Sequence, residues 1–281
     1  MTPPRLTDRA ALAAHRTRAL RRGNGAAAQL HGAVQDEVQL RLAEVNRTFT
    51  APAVVTGFPS LWADALPGAR LVPDAEVLGL DAGAHDLVVH ALALHWADDP
   101  LGQIIQCARA LRPDGLFLAV FPGGRSLHEL RAALATAEAG LTGGLSPRVL
   151  PMAEVRDAGA LLQRAGLALP VADVQTQPLA WRDPAGLVAD LRGAGETNAL
   201  AARLRRPMGR ALWAAALAAW AEGFGQDGLW PATLDLIWLT GWAPGPGQPQ
   251  PLRPGSAAQR LADALGATET PLPDRAGPSG V

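Results

Sequence analysis

Apolar positions recur at helical spacing through residues 8–45, where Val34, Val38, Leu42 and Val45 share one stripe, a period that predicts helix. The Gly23-Asn24-Gly25 cluster interrupts the stripe and predicts two helices rather than one. From Ala53 the pattern changes. Ala53-Val54-Val55-Thr56-Gly57 reads as a short buried strand, and a helix is expected over 60–66, before Pro67-Gly68. The most regular stretch is 85–121. There "HDLVVHALAL" predicts a buried strand, and "PLGQIIQCARAL" predicts an amphipathic helix with Pro100 in its first turn. Arg112-Pro113-Asp114-Gly115 then reads as a turn before a second buried strand, "LFLAVF". Strand, helix and strand at this spacing make a βαβ unit, which is right-handed and parallel.

Past Gly123-Gly124, Ser126 and Glu129 have the spacing of a capping box, with Leu127, Leu130 and Leu134 behind them. A helix is expected over 153–165 and stops at Gly166, a residue suited to a left-handed cap. "PVADVQTQPLAW" reads as a strand, residues 183–225 as helical, and "ATLDLIWLTGWAP" as the last strand. The expected organisation is therefore N-terminal helices over 1–50 and one α/β domain over 51–256, with a helical insertion at 183–228. A Pro/Gly-rich tail, partly disordered, is expected over 257–281.

Composition narrows the function classes. Hydrophobic residues are 48% of the 281 and charged residues 18%, enough apolar material for a core. Every basic residue is Arg, a pattern attributed to coding bias rather than function. A net charge of −1 argues against a general nucleic-acid binder. The Arg-rich run 16–22 reads as a solvated helix face. Cys107 lies in an apolar-periodic run and reads as a small buried hydrophobe. No Cys/His cluster has metal-site spacing, so no metal is expected. No secretion signal and no apolar run of spanning length are visible. A cytoplasmic location follows as an expectation, with peripheral association at the inner face of the membrane left open.

Several separated motifs carry a more specific resemblance. "LALHWADDP" follows a strand, and "LRPDGLFLAVFPGG", "SLHELRAALATAEA", "GGLSPR", "LLQRAGLALPVADV", "DLRGAGETNAL" and "GWAPGPGQPQP" come after it in order. Together, across residues 5–256, they resemble the methyltransferase-like complex I assembly factor 5 group and its bacterial relatives. The resemblance implies an α/β class I methyltransferase-like (Rossmann-like) fold: a mostly parallel sheet, flanking helices, and a helical insertion before the last strand. It also implies S-adenosylmethionine as cofactor and a subunit of respiratory complex I as partner. Mitochondrial members are associated with hydroxylating an arginine of such a subunit.

The cofactor motif departs from that family. A class I methyltransferase places a Gly-rich turn after its first strand, where backbone approaches the cofactor, and an acidic residue after its second, which holds the ribose. Here only Gly57 remains of the turn, followed by Phe58 and by Pro59, which has no amide hydrogen. At about 1.5 Å per helical residue and about 3.3 Å per strand residue, residues 58–85 cannot hold two helices and two strands of ordinary length. One strand of the N-terminal half is therefore missing. The preferred alignment deletes the second strand and sets Asp74 and Glu76 near the adenine; the rival makes Asp74 the ribose acid and deletes the third strand. Cofactor contacts are expected from Gly57, Asp74, Glu76, Leu94 and His95, and binding is expected to be weakened or lost.

The other candidates gather at strand ends, where α/β sites form. His95 and Trp96, with Asp98 and Asp99, follow the strand that begins at His85. They offer a stacking ring and polar contacts, or alternatively a rim aromatic and a helix cap. His90 reads as a packed strand residue. Arg148 could fix a carboxylate or a loop, and Glu196 and Asn198 could receive a substrate guanidinium or cap a helix. Catalytic candidates are His95, Trp96 and Glu196; substrate contacts are expected from Asp98, Asp99, Arg148, Glu196 and Asn198. Trp213, Trp220, Trp230, Trp238 and Trp242 read as core. Three functions remain open: a complex I assembly factor, a methyltransferase for a small or carrier-bound substrate, and a non-catalytic protein-binding module.

Overall fold

The computed structural model describes residues 5–23 and 25–248; the tail expected over 257–281 lies outside them. Two helices open the chain, α1 (Arg9–Arg21) and α2 (Gly25–Glu44), parted where the glycine cluster predicted. Three strands follow the apolar runs, β1 (Pro52–Thr56), β3 (His85–Ala91) and β4 (Leu111–Gly123), with α3 (Pro100–Ala110) between the last two, whereas β2 (Arg70–Pro73) was not foreseen. Then come α4 (His128–Thr142), α5 (Val155–Arg164), β5 (Ala168–Trp181), α6 (Pro184–Gly193), α7 (Arg210–Phe224) and β6 (Trp230–Trp242).

The six strands lie in the order β2-β1-β3-β4-β6-β5. β2, β1, β3 and β4 are parallel, whereas β6 runs antiparallel to both its neighbours. This is the class I methyltransferase topology with the edge strand beyond β2 missing among the described residues. Both faces are covered, so alternate residues of one strand feed two cores. In β4, Phe117, Ala119 and Phe121 pack towards Ile104 and Cys107 of α3 and Leu162 of α5. Leu116, Leu118 and Val120 face the other way, towards Val34 and Val38 of α2 and Trp62. Each buried Leu, Val, Ile or Phe among them contributes roughly 1.5–3 kcal/mol of transfer free energy. A third cluster joins Leu130 and Leu134 of α4 to Leu187 of α6 and Trp220 of α7.

Four expectations need correction. The preferred alignment is wrong: β2 pairs directly with β1, Val54 opposite Leu71, so the second strand is kept and the third is lost. The helix expected over 60–66 is one short 3-10 turn, Pro59–Leu61. There Trp62 is buried and donates from Nε1 to His31 Nδ1 at 2.8 Å, an anchor that takes the place of helix propagation. No capping box forms. Ser126 Oγ donates to the Gly123 carbonyl at 2.7 Å and accepts from the Asp235 amide at 3.0 Å, while Glu129 accepts from Thr233. Both side chains are drawn to β6 instead of to their own helix end. The insertion is two helices, α6 and α7, with residues 194–209 non-helical between them.

Candidate functional site: a filled cradle beside an open cavity

Gly57 follows β1 and Asp74 follows β2, so these two predicted residues meet at adjacent strand ends. The space between them holds a third side chain. Arg16 of α1 is only 8% exposed; it shares the buried stripe Leu12, Arg16 and Ala19. The solvated face expected for the run 16–22 therefore fails at Arg16. Its Nη1 donates to Asp74 Oδ1 at 2.6 Å, and Arg9 Nη1 donates to Asp74 Oδ2 at 3.2 Å. Arg9 Nη2 also reaches the Asp74 carbonyl. A Cβ added at Gly57 would fall inside the Arg16 guanidinium. Gly195, at φ +74°, lets the chain close over the stem of Arg16, where a Cβ would lie 3.1 Å from Cγ. Arg16 Nε and Nη2 are buried with no hydrogen-bond partner among the described residues.

A class I cofactor needs backbone approach beside Gly57 and free carboxylate oxygens on Asp74. As arranged here the cradle residues do not fit that group. The remaining predicted cofactor contacts lie elsewhere. Glu76 is exposed, its nearest cation being Arg5 at 4.0 Å, and Leu94 is packed in the α3-side core.

The open space lies next to the cradle. A cavity of about 630 Å³ is walled by α2, the ends of β4, β5 and β6, and the loop after α6. His95, Trp96, Arg148, Glu196 and Asn198 all line it, as do many aliphatic side chains such as Leu30, Val34, Leu130 and Leu187. His95 and Trp96 sit in the 3-10 turn Leu94–Trp96 after β3. Both meet one oxygen of Glu196: His95 Nε2 lies 3.0 Å and Trp96 Nε1 2.7 Å from Oε2. Oε1 has no hydrogen bond among the described residues. Burial pushes the Glu196 carboxyl up, but His95, Arg16 and the Trp96 bond outweigh it and the net shift is downward. Glu196 is thus ionised, with one oxygen committed and one available. Bidentate capture of a guanidinium by both oxygens does not suit this arrangement.

The other candidates do structural work. Asp98 Oδ1 accepts from the amides of Leu6 and Thr7, each at 2.8 Å, pinning the N-terminal segment. Asp99 caps α3 through the Gly102 amide. Arg148 grips Glu138 with two bonds, 2.6 and 3.1 Å; this pair and Ser146 hold Glu138 down at about 2. Asn198 donates to the Pro147 carbonyl and accepts from the Leu200 amide. His90 is fully buried, with Nε2 2.8 Å from Gln103 Oε1. Sequence reasoning missed Arg16 and the acidic α2 and α6 positions Asp36, Glu37 and Asp190, which also line the cavity. The i, i+4, i+7 stripe of α1 could have exposed the first. Among the described residues no helix is long and apolar enough to cross a membrane, and no three His, Cys, Asp or Glu side chains group as a metal site.

A sheet parallel but for the antiparallel β6 inserted between β4 and β5, with its site at the strand ends, defines a class I methyltransferase-like protein, and residues 32–119 match the family model described as a methyltransferase domain. Among curated proteins the chain is 34% identical over 199 residues to "Arginine-hydroxylase NDUFAF5, mitochondrial" of Danio rerio, covering 70% of this chain and 62% of that protein. It is 36% identical over 176 residues to the malonyl-[acyl-carrier protein] O-methyltransferase of Laribacter hongkongensis, covering 63% and 57%. Among solved structures, the YcgJ protein of Bacillus subtilis covers 74% of this chain and 98% of its own at 12% identity, with TM-score 0.46. Residues 32–119 are thus methyltransferase-domain sequence, and over the aligned region the chain is similar to the NDUFAF5 proteins. It spans about 56–62% of the length of the first NDUFAF5 relatives that it matches.

Proposed function

We propose that this protein is a methyltransferase-fold assembly factor for respiratory complex I, which acts on or binds one complex I subunit without S-adenosylmethionine in its cradle. The observation that carries this reading is the pairing of a filled cradle with an open cavity. Arg16 takes up Asp74 and covers Gly57, while the adjoining cavity keeps an ionised Glu196 held by His95 and Trp96. The family implies an arginine of the client as the target. A single guanidinium nitrogen directed at Glu196 Oε1, with the aliphatic stem against the leucine-lined walls, suits the space. Relatives named arginine-hydroxylase support this direction; they do not extend over their full length here. His95 and Trp96 position the carboxylate, and Glu196 meets the client.

A non-catalytic variant of the same reading is favoured by one specific observation. Asp98, Asp99, Arg148 and Asn198 are all engaged by the protein itself, leaving Glu196 alone of the predicted substrate contacts to meet a client. The methyltransferase reading draws on the relatives named malonyl-[acyl-carrier protein] O-methyltransferase and is opposed by the Arg16 contact. The test is a strain lacking the gene, complemented with wild-type or Glu196→Gln protein. Membranes are assayed for NADH:quinone oxidoreductase activity and for assembled complex on native gels. Full complex I activity without the protein would sink the assembly role. Loss that Glu196→Gln restores fully would separate the role from this cavity.

A further inference from the structure

We infer that Arg16 is the residue that excludes S-adenosyl nucleosides from this chain: a built-in occupant of the cradle rather than a displaceable lid. This deepens the cofactor-free reading above, but it stands on its own geometry. A nucleoside in this fold requires close backbone approach at Gly57, a free carboxylate after β2, and room between them. One side chain removes all three. The guanidinium lies where the ligand would touch Gly57, its Nη1 holds Asp74 at 2.6 Å, and its stem fills the gap up to Gly195.

The energetic order favours the resident. Asp74 already receives two cationic donors, Arg16 and Arg9, whose full charges pair with the carboxylate, whereas ribose hydroxyls would bring it no opposite charge. The methyl-donor form of the cofactor is itself cationic, so it would enter beside two arginines. Phe58 adds bulk, its ring centroid 5.9 Å from Arg16 Cζ, and is 2% exposed.

The helix carrying Arg16 is tied down at its start. Asp8 caps it through the Ala11 amide at 3.0 Å and pairs with Arg203 at 2.9 Å. The Asp8 amide donates to the Ala199 carbonyl at 2.7 Å. Thr7 Oγ1 donates to the Trp96 carbonyl at 2.9 Å, and Asp98 holds the Leu6 and Thr7 amides. Moving α1 away from the cradle would break these bonds together. Asp98, expected to meet substrate, instead helps to keep Arg16 seated.

The test is calorimetric titration of the full chain with S-adenosylhomocysteine, in wild type and Arg16→Ala, with thermal melts to establish folding. Wild type is expected to stay silent at millimolar ligand, and Arg16→Ala to gain affinity by about tenfold or more, seen also as a ligand-dependent rise in Tm. Micromolar binding by wild type would overturn the inference. So would a folded Arg16→Ala protein as silent as wild type, because the barrier would then lie elsewhere. Should Arg16→Ala not fold, Arg16→Met keeps the stem packed against Gly195 and Phe58 while freeing Asp74, and the same two outcomes apply. A cofactor-independent arm uses Gly57→Ala, which should lower Tm in wild type and much less in Arg16→Ala. An equal drop in both would show that Arg16 does not overlie Gly57. A strain that assembles complex I normally without the protein would end the proposed function and leave these binding results standing.

Discussion

Trp96 Nε1 donates to Glu196 Oε2 at 2.7 Å, across a sequence separation that joins the strand end after β3 to the loop after α6. The bond fixes one oxygen of the carboxylate and leaves the other without a partner among the described residues, in a mostly apolar cavity. Glu196→Gln removes the charge that His95 and Arg16 favour. It is expected to destabilise the fold by about 1.5–3 kcal/mol, the range for bonds to a charged group, as read from denaturant midpoints. An unchanged midpoint would mean that the carboxylate is not held as described.

Glu138 and Arg148 form a buried pair whose side chains are 6% and 18% exposed. Glu138 titrates at about 2, below its ordinary 4.5, chiefly because Arg148 bonds to the ionised form. A carboxyl lowered in the folded state contributes stability that is full above about 4.5 and is lost as pH falls towards 2. Arg148→Ala is expected to cost about 3–5 kcal/mol at neutral pH, since it strands a buried charge, and to flatten the part of the acid loss that Glu138 contributes. Urea melts from pH 7 to 3 check both points.

Two buried histidines set an earlier acid limit. Burial lowers His31 and His90 from 6.5 to about 4 each, so the unfolded chain binds protons that the folded chain refuses. Stability is complete above 6.5 and falls as pH drops towards 4, by on the order of 3 kcal/mol per histidine. His31 is locked neutral by the indole of Trp62 donating to Nδ1. Tm measured from pH 7.5 to 4.5 should fall steeply, and His90→Gln should flatten part of the slope. A flat profile in wild type would refute this.

Ala33 of α2 is exposed and lines the cavity. Ala33→Trp should leave stability within about 1 kcal/mol, as expected for a surface position, yet project a large ring into the space a client would use. Complementation by this variant is expected to fall well below wild type while its melting curve stays near normal. Full complementation would place client contact outside the cavity.

The layered fold was legible because its signals are local. The unbroken apolar runs at Ala53, His85 and Leu116 could only be strands buried on both faces. The Pro100-led amphipathic stripe could only be their crossover helix. The loss of one strand was legible too, since the chain length between Gly57 and Asp86 could not hold the full set. Which strand was lost was not. β2 carries the short sequence Arg70–Pro73, and only its pairing with β1 tells the second strand from the third. Ser126 and Glu129 had the right spacing for a cap but found stronger partners on β6, which no local rule can foresee.

The site divides the same way. His95, Trp96, Arg148, Glu196 and Asn198 were visible as polar residues at strand ends and in loops, and the structure brings them to one cavity. Asp98 and Asp99 were visible as well, but as carboxylates they served backbone amides first. The amino-acid sequence by itself determined the α/β layering, the missing strand and the damaged Gly57-Phe58-Pro59 turn, because periodicity, chain length and the absent proline amide act over neighbouring residues. Only the tertiary structure decided that Asp74 follows the second strand and that Arg16, 58 positions earlier, lies against it. The meeting of a helix and a sheet edge so far apart along the chain is set by packing and charge pairing in three dimensions, where a buried carboxylate takes the nearest cation available.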